Sequence, residues 1–319
     1  MNKLIKSLLT VSIIPFLFSC TKKETTSKRK DNKLYFGTYP QTLETSTKQI
    51  KKLNKYIINY PTSDNLNGWT SYNYYIEDKI ENYMFYKDID LDNDNSYDYR
   101  GVYFIKYRPF HTHLVSEDSF SYQYQNGYET SKVYYFKYET IEWDILEESN
   151  NNLTLISHNI LDSNDFFPSF SREAIDHDGT LAYANNYELS KVRKWLNNDF
   201  YNTSFNDSEK TKINKVLVNN KVESSSYSSN DTLDYVYLLS DDEIHKYFDE
   251  VESRLCYSSD YAKCQGLEQR GVDKCTWQLR TPYTSNPNYT LILDQSGKII
   301  HAEANSTYTG IRPVMNIAL

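Results

Sequence analysis

The longest apolar stretch in these 319 residues is only about a dozen positions, residues 8–18, and it follows Lys3 and Lys6. A bilayer takes roughly 20 helical residues to cross, and Pro15 would disturb a spanning helix. A short basic start, an apolar middle and an abrupt return to polar chain make the form of an export signal. The other reading of the same run is a buried helix at the start of a cytosolic domain. A mean hydropathy of −0.71 excludes a multispanning membrane protein. At about 100–200 residues per domain the chain holds one or two domains, enough to bury a core without many disulfides. With 8 Pro and 9 Gly it is neither collagen-like nor Pro/Gly-rich disorder. Its 31 Tyr bring aromatics to 15%, whereas disordered chains are poor in them. A net charge of −8 argues against a nucleic-acid binder, which needs a basic footprint.

The apolar run ends in Leu17-Phe18-Ser19-Cys20. This resembles a bacterial lipobox, although Phe18 departs from the usual small residue. The resemblance implies that Cys20 is lipidated, palmitate included, and that residues 1–19 are removed as a signal peptide. Two or more acyl chains give a stable anchor. Residues 20–33 then carry six basic residues and two acidic ones with nothing apolar after Cys20, which reads as a solvated tether. Its charge suits anionic headgroups; a plain spacer is the simpler reading. Beyond it, 27 basic residues face 41 acidic ones. The protein is therefore expected to be exported and lipid-anchored to the cell membrane or outer membrane. Its partners there would be that membrane and an extracellular or periplasmic glycan or protein.

Residues 34–319 read as a single α+β domain. Residues 34–41 suggest a short strand broken by Gly37 and Pro40. A Tyr-rich β insert is expected at about 66–138, with strands near 83–86, 101–107 and 132–138. Residues 141–146 alternate apolar and acidic and pair with 153–160 as a hairpin. Ser190 caps a helix carrying Val192, Trp195, Leu196 and Phe200. A second, shorter helix is expected over 207–216, a Ser/Asn loop over 219–231 and a strand over 235–239. Ser240 and Glu243 form a capping box that starts a helix with Ile244, Tyr247 and Phe248 on its apolar face. Short strands follow at 276–280, 290–293, 298–302 and 311–317.

Eight segments in order carry a family resemblance. They are Tyr35-Phe36-Gly37-Thr38-Tyr39-Pro40-Gln41, Ile141-Glu142-Trp143-Asp144-Ile145-Leu146, Leu155-Ile156-Ser157 with Ile160-Leu161-Asp162, Leu189 to Asn197 with Phe200-Tyr201, Val236 to Ser240, Tyr261-Ala262 with Gln265-Gly266, Trp277-Gln278-Leu279-Arg280-Thr281-Pro282, and Gly310-Ile311-Arg312-Pro313-Val314. Together they resemble the bacterial domain-of-unknown-function 6273 family. The segment with Tyr99-Arg100-Gly101 and Tyr107-Arg108-Pro109 resembles an insert of some members. The Trp-x-Leu-Arg and Gly-Ile-Arg-Pro patterns are in turn similar to the C-type-lectin-like fold of formylglycine-generating enzymes, so that fold is the expectation. Fold alone does not give function.

The chain contains no G-x-S-x-G elbow, H-E-x-x-H, P-loop, C-x-x-C or dinucleotide fingerprint. His111-Thr112-His113 suits a metal only weakly and reads as a solvated loop without nearby carboxylates. The acidic run holding Asp90, Asp92 and Asp94 half matches a Ca²⁺ loop. Asn95 stands where Gly is wanted and Gly101 where Glu is wanted, so an acidic hairpin tip is the plainer reading and no cofactor is expected. Glu142 and Asp144 share a strand face, read as solvent-facing. Cys256, Cys264 and Cys275 allow at most one intrachain pair, Cys264–Cys275 or Cys256–Cys275, and their spacing does not fit zinc. Trp195, Trp277, Arg280 and Arg312 read as structural signature residues whose guanidinium forks tie strands; the other reading of Trp277, Arg280 and Arg312 is an aromatic and an Arg pair at a ligand surface. The ligand surface is expected at Tyr283, Asn286, Asn288, Tyr289, Asn305 and Tyr308, where Tyr and Asn supply flat area and adaptable hydrogen bonds. A surface lipoprotein with a lectin-like binding domain is the leading expectation. The alternatives are an oxidase related to formylglycine generators, for which Cys264 and Cys275 are the only copper-pair candidates, and a structural envelope protein.

Overall fold

The structure, a computed structural model, describes residues 28–169, 175–177, 180–223, 225, 227, 229–269 and 273–319. Cys20 and the signal segment lie outside the described residues. Strand β1 (Lys28–Lys30) pairs with β2 (Lys33–Leu43) across a two-residue turn in which Asp31 has φ 55°. The sheet thus begins inside the segment read as tether. Strand β2 is not broken at Gly37 and Pro40. Register shifts between Tyr35 and Thr38 and between Pro40 and Leu43 absorb both residues. Gly37 has φ 70°, and a Cβ there would stand 2.5 Å from the Phe205 ring. No other residue fits that conformation and that contact without strain.

Helix α1 (Thr47–Leu53) starts at Ser46, whose side chain accepts from the Gln49 N–H. After it come β3 (Thr70–Ser71), β4 (Tyr74–Ile76), β5 (Lys79–Glu81), β6 (Met84–Ile89), β7 (Tyr99–Phe104), the single turn α2 (Tyr122–Gln125) and β8 (Tyr134–Ser149). The strands expected near 132–138 and 141–146 are one sixteen-residue strand. Strand β8 pairs with β2 over Phe136 to Asp144, so β7, opposite Tyr134 to Lys137, and β9 (Asn152–Ser157), opposite Trp143 to Ser149, lie end to end along its other edge. It is the spine shared by both halves. On it Ile141, Trp143 and Ile145 alternate inward, and the Trp143 Nε1 donates to the Phe36 carbonyl at 2.8 Å.

The second half opens with β9 (Asn152–Ser157), joined to β8 by the expected hairpin, with Asn150 and Asn151 at positive φ. Next are β10 (Asp162–Ser163), the ribbon β11 (Ile175–His177) and β12 (Thr180–Ala182), and α3 (Lys191–Trp195) capped by Ser190. Helix α3 runs through a π turn (Leu196–Phe200) into α4 (Tyr201–Ser204), burying Val192, Leu196 and Phe200 as expected. The helix expected over 207–216 stops early. It is only α5 (Asp207–Lys210), after which β13 (Ile213–Asn214) pairs with the last strand, β21 (Val314–Ala318), and β14 (Val216–Val218) with β15 (Thr232–Asp234). Ile213, Val216 and Val218 are β-branched and find ladder partners, which outweighs the capping box at Asn206. Strand β16 (Val236–Tyr237), α6 (Asp241–Tyr247) with its Ser240/Glu243 capping box, and α7 (Asp260–Cys264) come next. The chain ends in β17 (Trp277–Pro282), β18 (Tyr289–Leu293), β19 (Ile299–Glu303), β20 (Gly310–Ile311) and β21 (Val314–Ala318).

The result is an α+β fold made mostly of strands. A ten-stranded sheet runs β13-β21-β9-β8-β7-β6-β3 with β1, β2 and β16 attached, and a five-stranded sheet runs β10-β20-β17-β18-β19. One continuous core, from Phe36 and Phe136 to Trp277 and Val314, spans both halves. A smaller core of Leu53, Trp69, Phe85, Tyr103 and Tyr135 belongs to the first half alone. Among the described residues no helix is long and apolar enough to cross a membrane.

Candidate functional site

Where the two halves meet they enclose a cavity of about 350 Å³. Strand β2 brings Tyr39 to its floor and β10 brings Asp162. The Tyr39 hydroxyl donates to Asp162 Oδ2 at 2.6 Å, and the Ser163 N–H donates to Oδ1 at 2.7 Å. Burial pushes the Asp162 carboxyl up to about 6, against the opposing effect of those bonds and of Arg108 and Arg100. Tyr261, from α7, shares a hydroxyl bond of 2.7 Å with Tyr72 and accepts from Arg100 Nη1 at 3.2 Å. Gln265 ties the wall together, accepting from the Tyr74 hydroxyl at 2.5 Å and donating to Tyr72 at 3.2 Å.

The first half lines its side with stacked rings. Tyr72 and Tyr74 lie 5.3 Å apart and nearly parallel, and Tyr86 stands 4.9 Å from Tyr72. Arginines close both ends of this ladder, Arg100 at 4.0 Å over Tyr86 and Arg108 at 3.8 Å over Tyr74. Each is held by an acid. Arg100 makes two 2.8 Å bonds to Asp88, and Arg108 bonds Asp165 at 2.8 Å while also donating to the Ser163 and Gln265 carbonyls. Burial works to raise the Asp165 carboxyl, but Lys191 (2.7 Å) and Arg108 outweigh it and hold it below its ordinary value. The second half lines the opposite side with Trp195 and the π turn that carries Asn198 and Asp199. π turns of this kind often mark functional positions. Desolvation raises the Asp199 carboxyl even at the exposed rim.

The wall is thus an aromatic, hydroxyl-lined cradle whose buried cations are all paired, Arg100 with Asp88, and Arg108 and Lys191 with the shared Asp165. It suits a neutral ligand rich in hydroxyl groups. Sequence patterns single out only Trp195 among these residues, and as a structural one. Tyr39, Asp162 and Tyr261 do sit in the family-like segments, and Arg100 and Arg108 in the insert.

The surface expected at the C-terminal loops is more interior than its composition suggests. Asn288 and Asn305 are buried. Asn305 donates to Thr112 and to the His113 ring at 2.9 Å, and the Asn288 N–H donates to Asn286 Oδ1. Tyr283, Asn286, Tyr289 and Tyr308 stay half-buried, with Tyr283 stacked 4.3 Å from His301. The His111–His113 loop is only partly solvated, with Thr112 buried, His111 half-buried and His113 exposed. It packs on these loops, with His111 Nδ1 3.2 Å from Glu303, the nearby carboxylate that local sequence lacks.

Trp277, Arg280 and Arg312 are buried ties. The Trp277 indole donates to the Arg254 carbonyl, Arg280 to the Leu238 carbonyl and Glu243, and Arg312 to the Ser157 carbonyl at 2.8 Å. Asp144 is no solvent decoration. It bonds His158 at 3.0 Å and Arg312 at 3.2 Å beside a cleft of about 720 Å³, while Glu142 pairs with Lys33. In the acidic loop Asp90 and Asp92 gather with Asp98; Asp94 instead accepts from Ser96. All three cysteines of the described chain are buried thiols. Cys264 and Cys275 have different immediate neighbours. Cys264 lies among Tyr128, Tyr134 and Asp162, and Cys275 beside Ser258.

No curated protein and no solved structure matches the chain. The family model described as a domain of unknown function, DUF6273, matches residues 150–319, which is more than half of the sequence and all of the second half of the fold. The ties at Arg280 and Arg312, the Ser190 cap and the cavity residues Asp162, Trp195 and Tyr261 all fall inside that stretch, and by it the chain belongs to the DUF6273 family.

Proposed function

We propose that this protein is an exported bacterial lipoprotein, anchored to the cell membrane or outer membrane through Cys20, that holds a neutral saccharide between its two halves. The observation that carries this reading is the cavity. Tyr72 and Trp195 offer ring faces from opposite halves, and tyrosine hydroxyls, Asn164 and Asn198 offer hydrogen bonds between them. Around it Arg100, Arg108, Lys191 and Lys194 balance Asp88, Asp162, Asp165 and Asp199, so no excess of either sign favours a charged sugar over a neutral one. The second half is read as lectin-like from its Trp277-to-Pro282 and Gly310-to-Val314 segments. Tyr283, Asn286, Tyr289 and Tyr308 then form an outlying contact for a longer glycan.

A glycan array probed with the full chain in detergent tests the binding. Neutral glycans are expected to bind, and Tyr72→Ala or Trp195→Ala should weaken the best of them at least about tenfold, the loss of one stacked ring. An array without hits sinks the saccharide reading. Radiolabelled palmitate entering the parent but not Cys20→Ala tests the anchor, and a parent that stays unlabelled sinks it.

A further inference from the structure

Sequence leaves two pairings open for Cys275, and the fold separates them. The Cys275 N–H donates to the Cys256 carbonyl at 3.0 Å. A direct backbone bond of this length holds two α-carbons roughly 5–6 Å apart, as in a hydrogen-bonded strand pair, within the roughly 4.4–6.8 Å that a disulfide spans. Leu255 and Ser259 have extended backbone, and Ser258 between them bridges to Ile160. In extended chain, residues two apart share a face, so Cys256 and Ser258 point the same way. The Cys275 Sγ lies 3.6 Å from the Ser258 Oγ and is therefore on that face. Next to it, Lys274 Nζ stands 3.1 Å from the centre of the Tyr257 ring, so the two segments lie flush. The Cys256 Sγ is turned to the His158 carbonyl at 3.3 Å, so pairing with Cys275 requires a rotation about its Cα–Cβ bond. Cys264 is fully buried on α7, in other surroundings.

We propose that Cys256 and Cys275 form this protein's disulfide once it is exported, with Cys264 kept as a buried thiol. The proposal rests on the export reading above. A Cys thiolate attacks the disulfide of a thiol oxidant, and the second Cys displaces the mixed disulfide. The two thiols lose two protons and two electrons, and the oxidant leaves as two thiols. Both sulfurs are buried in the finished fold, so the exchange runs while the chain folds. The closed loop carries α7, and with it the Tyr261 and Gln265 that meet the first half.

The test is non-reducing peptide mapping of the full chain in two samples. One is taken from the membrane fraction; the other is unfolded, reduced and refolded in a mixture of oxidised and reduced glutathione. A linked Cys256–Cys275 peptide is expected in both, with Cys264 alkylated only after unfolding. Cys264→Ser should keep the link and Cys275→Ser abolish it. Reduction should lower the melting temperature by about 5 °C. A refolded sample that links Cys264, or leaves all three thiols open, overturns the proposal. A refolded sample that is linked beside a membrane sample that is not keeps the pairing and overturns export instead.

Discussion

The two halves of this molecule solve the same problem differently. Residues 28–149 are built around β2, β6, β7 and β8, antiparallel strands held by regular ladders, and they hold a small core of their own. Residues 150–319 are short strands and single turns, and side chains there bond directly to backbone. Asn197 donates to the Arg193 and Val236 carbonyls and accepts from two N–H groups, Asn185 reaches the Tyr283, Asn286 and Tyr289 carbonyls, and Arg280 and Arg312 do the same deeper in. Irregular chain must satisfy its backbone groups with side chains or water. The matched half carries its own polar scaffolding, and the first half joins it through the β8–β9 ladder, the shared core and, at the cavity, Arg100, Arg108 and tyrosine hydroxyls. The cavity lies along that seam.

The sharpest way to break this comparison is to cut the seam. Arg108→Met leaves Asp165 buried with Lys191 as its one remaining cation and removes the donors to the Ser163 and Gln265 carbonyls. A loss of about 3–5 kcal/mol in urea unfolding is expected. If both halves still melt together at unchanged urea, the seam is not what joins them. Next in size is Gly37→Ala, which forces a methyl against Phe205 and places Ala at positive φ. About 3 kcal/mol should be lost, and an unchanged midpoint would mean that β2 and α4 are not tightly apposed.

Asp162→Asn sharpens the comparison at the cavity floor and is the smallest effect. The folded-state carboxyl titrates at about 6, above its unfolded value. The folded state therefore binds the proton more tightly, and stability falls as pH rises from about 4 through 6. The amide removes that dependence. Its advantage over the parent should grow from near nothing at pH 4 to about 2 kcal/mol at pH 7.5. A difference that stays flat with pH in urea titrations would show that Asp162 ionises normally.

Much of the second half was legible because its signals are local. Ser190, and Ser240 with Glu243, cap their helices through bonds three residues long, and the β8–β9 hairpin follows from alternation either side of Asn150 and Asn151. The first half was legible only in pieces. Strand β8 reads as two strands because Glu139 and Thr140 interrupt the apolar pattern, yet β2 pairs across both. The site was the least legible. Tyr39 meets Asp162 from 123 positions away, and His111 meets Glu303 on a loop that locally has no carboxylate.

The family, the caps and turns and the α+β character follow from the sequence alone. These depend on residue type and spacing within a turn or a strand, where chain geometry fixes which side chains meet. Tertiary structure alone decided that β8 is continuous, that Asn288 and Asn305 face inward, and that Tyr39, Tyr72, Arg100, Asp162 and Trp195 share one cavity. Such meetings join segments far apart along the chain, and only the packing of the two halves over a common core brings them within hydrogen-bonding reach.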